Sequence, residues 1–179
     1  MNKKGFTLLE ILLVIGILGA ILVVVSSLQT NIFKYNKSAS DSLQNSQDSR
    51  SIIRVMVKEL RSAKQGSDGS YPIAQTGTST LTFYSDIDAD GATEKVRYFI
   101  STTTTPFTLQ KGIIKAGAEE TFSILSYNIQ NGTSTDMFEY YGLSSSIVES
   151  IPDIKMIKIN LLNSKLYTSQ VLLRNLKDI

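Results

Sequence analysis

The sequence predicts an α+β chain: one long N-terminal helix, half transmembrane and half amphipathic, packed on a C-terminal antiparallel β-sheet head. Three observations carry that prediction. From Phe6 to Leu28 the only charged residue is Glu10. From Ile52 to Ala63 apolar residues recur at helical spacing. Beyond residue 80 the apolar period switches to two.

The first segment, residues 6–28, is long enough to cross a bilayer, which takes about 20 apolar residues. Lys3 and Lys4 precede it, and no further basic residue occurs until Lys34. That asymmetry keeps the N-terminus in the cytoplasm and puts the bulk of the chain outside. Gly16 and Gly19 are the points where local unwinding costs least. Residues 29–64 continue the helix. Their first part is polar, and Ser and Asn there compete with the helix through local hydrogen bonds. The stretch SIIRVMVKELRSAK then restores the period: Ile52, Met56, Leu60 and Ala63 form one face, with Ile53 and Val57 beside them. The helix is expected to end near Lys64, ahead of Gly66 and Gly69.

Residues 65–179 form the head. Residues 65–79 are rich in Gly, Ser and Thr and read as a loop. In TLTFYSDI, Leu81 and Phe83 alternate with Thr82 and Tyr84; in EKVRYFIS, Val96, Tyr98 and Ile100 alternate with Arg97 and Phe99. Asp90-Gly91 between them marks a hairpin. Further strands are expected at Pro106–Leu109, Thr121–Ile129, Met137–Tyr141, Ile154–Leu161 and Lys165–Leu173, with Asn163-Ser164 turning the last pair. Phe83, Tyr98, Phe99, Tyr140 and Tyr141 are expected in the core or in sheet packing, and Arg174 at the end of the last strand.

Composition narrows the function. The 179 residues contain 18 basic and 16 acidic side chains, for a net charge of +2. Without Lys3 and Lys4 the count is balanced at 16 of each, so charge does not indicate a nucleic-acid partner. There is no Cys and no His. This removes thiol nucleophiles, zinc thiolate sites and the commonest general base. No enzyme activity is expected. Glu119-Glu120 is expected to lie in a solvated loop.

One constellation suits a metal. Asp86-Ile87-Asp88-Ala89-Asp90-Gly91 has the D-x-D-x-D-G opening of an EF-hand loop, where alternate carboxylates ligate Ca²⁺. The twelfth position needs a bidentate carboxylate and is Arg97, which excludes a true EF-hand. Glu94 would close a smaller calcium cage with Asp86, Asp88 and Asp90. The alternative is a solvated hairpin tip, where Asp and Gly are common.

Glu10 is the remaining anomaly, because a carboxylate in hydrocarbon costs several kcal/mol and usually has a function. An ordinary signal peptide cleaved near Ser26-Ser27, or a plain anchor of an extracytoplasmic binding protein, gives no reason for it. Residues Lys4-Gly5-Phe6-Thr7-Leu8-Leu9-Glu10 resemble the processing signature of type IV prepilins and pseudopilins. The resemblance implies that residues 1–5 are a leader, that a prepilin peptidase cuts between Gly5 and Phe6, and that Phe6 becomes an N-methylated terminus. It implies a pilin-like fold and an assembly role for Phe6 and Glu10, the carboxylate meeting a neighbouring subunit's terminal amine. The implied partners are other pilin subunits, an inner-membrane assembly platform and, before assembly, membrane lipid. The stretch LTFYSDIDADGATEKVRYFI and the C-terminal VLLRNL are similar to minor pilins and to the large minor pseudopilin of type II secretion systems. A low-copy subunit near the filament tip is therefore expected, with a secretion pseudopilin as the alternative.

Overall fold

The computed structural model describes residues 5, 7–103, 105–115, 117–132, 134–142, 146–148 and 150–173. Arg174 and Phe6 lie outside the described residues. The helix α1 spans Leu8–Arg61, and the chain divides into two compact units, Met1–Gln44 and Asn45–Ile179.

In the first unit every described residue from Leu8 onward is helical and exposed, including Gly16 and Gly19. Its apolar side chains, Leu8 to Leu28, are exposed among the described residues. The polar groups in this stretch look after themselves. Ser26 Oγ donates to the Leu22 carbonyl at 2.8 Å, Ser27 Oγ to Val24 at 2.8 Å and Thr30 Oγ1 to Ser27 at 2.9 Å. Such back-bonds satisfy a hydroxyl without solvent.

In the second unit the last turns of α1 bury Ser49, Ile53, Met56 and Leu60, which share one face at spacings of three and four. Met56 and Leu60 are almost fully enclosed. Burial of side chains of this size stabilises by about 1.5–3 kcal/mol each. The helix ends at Arg61 rather than near Lys64. Ala63 fits the helical period, yet it pairs with Ser85 as a β-bridge, and the Lys64 amide donates to the Tyr84 carbonyl at 3.0 Å. The strand edge competes successfully for backbone groups that another helical turn would need.

Among the described residues eight strands follow, in two antiparallel sheets. The first contains β1 (Ile73–Thr76), β2 (Thr80–Ser85), β3 (Glu94–Ser101), β4 (Phe107–Ile114) and β5 (Thr121–Ile129), in that order. The second contains β6 (Phe138–Tyr141), β7 (Met156–Leu162) and β8 (Leu166–Leu172). β1 falls within the expected loop; four residues are too few to display a period. β4 continues five residues past its expected end at Leu109. Its alternation is disguised by Lys111, which faces the core side opposite Tyr98. The hairpins expected around Asp90-Gly91 and Asn163-Ser164 join β2 to β3 and β7 to β8.

Both sheets and the end of α1 close on one core. Leu81, Phe83, Val96, Tyr98 and Leu109 come from the first sheet, and Ile157, Ile159, Leu161 and Val171 from the second. The Phe83 and Tyr98 rings stack at 6.2 Å. Tyr140 is also buried, whereas Phe99 and Tyr141 are half-buried. One buried amide links the sheets: Asn131 Nδ2 donates to the Asn160 carbonyl at 2.9 Å, and its Oδ1 accepts the Leu162 amide at 2.7 Å.

Candidate functional site

The start of α1 is the first site. Gly5 is exposed and non-helical. Thr7 is the N-cap: its Oγ1 accepts the Glu10 amide at 3.3 Å, and Glu10 Oε2 accepts the Thr7 amide at 3.2 Å. The Thr7 hydroxyl also lies 3.3 Å from that carboxylate oxygen. This is a reciprocal capping box, which satisfies two of the donors that a helix start leaves open. The negative charge also sits where the helix dipole favours it. Glu10 therefore has a partner within its own chain. The pattern T-x-x-E, legible in the sequence, is the signal for Thr7.

The β2–β3 hairpin is the second site. Asp86, Asp88 and Glu94 come together, with one carboxylate oxygen of each within 4.8 Å of the others. Asp90 is not among them; its Oδ1 accepts the Ala92 amide at 2.8 Å, closing the tight turn. Gly91 has φ +93°, a conformation that suits glycine. Glu94 is buried and accepts the Ile87 amide at 3.0 Å. Asp86 Oδ2 receives Lys64 Nζ at 3.1 Å and the Gly91 amide at 3.2 Å, while its Oδ1 is buried without a partner. Lys115 Nζ lies 2.6 Å from Asp88 Oδ2 and holds that carboxyl below its usual range. Two ammonium groups thus already stand beside three carboxylates. The unpartnered Asp86 oxygen and the enclosed Glu94 are the features that suit a further cation.

Arg97, the residue that breaks the EF-hand pattern, is engaged on the outer face of the sheet. Its guanidinium binds Glu120 through two 2.8 Å hydrogen bonds and lies 4.5 Å from the Phe99 ring centroid. Glu120 is therefore held on the sheet rather than solvated in a loop. Gly112 permits this, because a Cβ there would run into the Glu120 carboxylate.

α1 is long and apolar enough to cross a membrane by length and composition, compatible with a single-pass anchor. Residues 1–26 match the family model for the prokaryotic N-terminal methylation motif. No curated protein and no solved structure gives a significant match to the chain. The motif, on a long apolar helix followed by an antiparallel β head, supports a prepilin of the type IV pilin or pseudopilin kind.

Proposed function

We propose that this chain is a non-catalytic structural subunit of a type IV pilus-type filament, in the finer reading a low-copy minor pilin near the tip. The methylation motif at residues 1–26 carries the proposal. Prepilin peptidase removes residues 1–5, Phe6 becomes the methylated terminus, and the apolar helix stays with the product. Before assembly that helix sits in lipid with Lys3 and Lys4 on the cytoplasmic side and the head outside. In the filament, sister helices replace lipid at little hydrophobic cost, since both surroundings are apolar.

Glu10 gives the assembly its register. An unpaired ammonium and an unpaired carboxylate are each costly in hydrocarbon, and pairing them removes much of that cost. A carboxylate offers about four acceptor sites. Glu10 can therefore keep the Thr7 amide while receiving a neighbour's Phe6 amine. The test is mass spectrometry of the mature protein. N-methyl-Phe6 is the expected terminus; an intact Met1, or a terminus after Ser27, overturns the proposal in favour of a signal-anchored or secreted binding protein. A secretion assay beside electron microscopy of a deletion strain distinguishes a pilus from a secretion pseudopilus.

A bound calcium ion is a second proposal, for the head alone. Asp86, Asp88 and Glu94 would hold it, and the buried Asp86 oxygen without a partner supports it.

A further inference from the structure

The apolar run of α1 ends on a band of aromatic and basic residues beyond the expected span. Ile32, Phe33 and Tyr35 are 57%, 71% and 77% exposed, and Lys34 and Lys37, also exposed, lie among them. Successive residues step by about 100° around a helix axis. Ile32, Phe33, Lys34 and Tyr35 therefore encircle the helix. A helix lying on a membrane gathers its apolar residues on one side. A ring of such side chains at one level instead suits a helix that crosses from hydrocarbon into headgroups. Tyr and Lys each carry an apolar body and a polar tip, which that layer satisfies together.

The spacing agrees. No charged residue occurs between Glu10 and Lys34. At about 1.5 Å per residue, Ile11–Phe33 is about 34 Å long, slightly more than a hydrocarbon core of roughly 30 Å. An ordinary tilt absorbs the excess. Measured from the same end, a span closing at Leu28 is about 27 Å and falls short. Ser26, Ser27 and Thr30 return their hydroxyls to their own helix, so they can lie inside the longer span. Gln29 and Asn31 lie within about one turn of the band. Among the described residues neither Lys34 nor Lys37 has an ion-pair partner. The nearest acid along the chain is Asp41, one turn past Lys37. Two ammonium groups at this level complement the phosphates of a lipid surface.

We infer that residues 33–37 form a lipid-headgroup band. Phe33 and Tyr35 seat among the headgroups, Lys34 and Lys37 bind the phosphates of anionic phospholipids, and the membrane boundary lies at Phe33 rather than Leu28. Continuity with the apolar span makes lipid the occupant, and the inference rests on the proposed membrane stage before assembly.

The experiment uses the full-length chain in vesicles of phosphatidylcholine with phosphatidylglycerol as a minor component. The natural sequence has no Cys, so Leu28→Cys, Ile32→Cys and Ala39→Cys each give one nitroxide attachment point. Labels at 28 and 32 are expected to meet dissolved oxygen and to be shielded from a water-soluble nickel chelate, and the label at 39 is expected to meet the chelate. A bimane on Asn36→Cys then reads the lipid. Nitroxide-labelled phosphatidylglycerol is expected to quench it about fivefold or more efficiently than nitroxide-labelled phosphatidylcholine. Adding Lys34→Gln and Lys37→Gln is expected to bring the two close to equal. Chelate access at 28 or 32 in a chain that floats with the vesicles overturns the inference, and so does equal quenching with both lysines present. A chain that does not float with the vesicles has failed the membrane reading itself, and flotation separates that result from the other two.

Discussion

The Tyr98 hydroxyl donates to Glu59 Oε2 at 2.6 Å, and Lys111 Nζ lies 2.5 Å from the other oxygen of the same carboxylate. One side chain of α1 is thereby fastened to β3 and β4 together. Both charged groups are largely enclosed, at 12% and 14% exposure for Lys111 and Glu59. Removing one partner of such a pair strands the other, which costs more than the pair contributes when intact.

Glu59→Ala is accordingly expected to destabilise the protein by about 2–4 kcal/mol, or roughly 5–15 °C in the thermal midpoint. Glu59→Gln keeps an acceptor for Tyr98 and should cost less. Denaturant melts of the two variants make the comparison. Equal losses would show that the neutral acceptor contributes nothing and that the charge on Glu59 carries the whole effect.

Alkaline pH acts on the same place. Burial first, and then the Glu59 charge, push the Tyr98 phenol far above its ordinary value; burial does the same to Tyr140. A raised folded-state pKa means stability that is complete below the unfolded value, about 10, and is lost as pH rises beyond it. Stability should therefore hold to about pH 10 and then fall by about 1.4 kcal/mol per pH unit for each such tyrosine. Tyr98→Phe should be less stable at neutral pH yet show a shallower alkaline slope. An unchanged slope would remove Tyr98 from the account.

Gly112→Ala should dislodge Glu120 from Arg97. The pair is partly exposed, at 35% and 19% for Arg97 and Glu120, so its contribution is modest. A double-mutant cycle on Arg97 and Glu120 is expected to give about 0.5–1 kcal/mol of coupling with Gly112 and close to none with Ala.

Glu10→Ala should leave cleavage and methylation at Phe6 intact, leave the product in the membrane fraction and sharply reduce its entry into filaments. Thr7→Val opens the capping box and should weaken the helix start by about 1 kcal/mol, while Thr7→Ser preserves it. Filament incorporation at the normal rate by the Ala variant would end the register argument.

If calcium binds at the β2–β3 hairpin, a chelator should lower the thermal midpoint. At a hundredfold excess over Kd the ion adds about 2.7 kcal/mol. Asp86→Asn should abolish the response. An unmoved midpoint assigns neutralisation of the three carboxylates to Lys64 and Lys115.

Long-period features were legible in the sequence. The apolar run after Glu10 and the Met56–Leu60 face became α1, and strict alternation in EKVRYFIS became β3. What escaped depended on contacts between distant residues. Lys111 falls beyond the expected strand, which stops at Leu109, because its partner Glu59 is 52 positions earlier. Ala63 looked helical, because nothing local reveals that Ser85 would pair with it. Division into two sheets was equally hidden, since the turn into the second sheet is organised by Asn131 binding backbone groups about 30 residues away. At the hairpin, alternation implies three acids, Asp86, Asp88 and Asp90, with Glu94 closing the cage, but the turn that Gly91 allows sends Asp90 to its own local bond. Thr7 is legible only as the T-x-x-E pattern with Glu10, set within an apolar run whose composition signals lipid rather than capping.

Asn131 has a consequence for the ageing of the molecule. It is followed by Gly132, and asparagine before glycine is chemically the most fragile of amides, because the next nitrogen can attack it freely. Here both ends of the amide are occupied and enclosed. Conversion to aspartate would turn a donor into an anion facing the Asn160 carbonyl, an expensive exchange in a buried place. The folded head thus shelters its own weakest bond. A chain held unfolded would slowly lose the ability to join its two sheets, so delay itself becomes a form of damage.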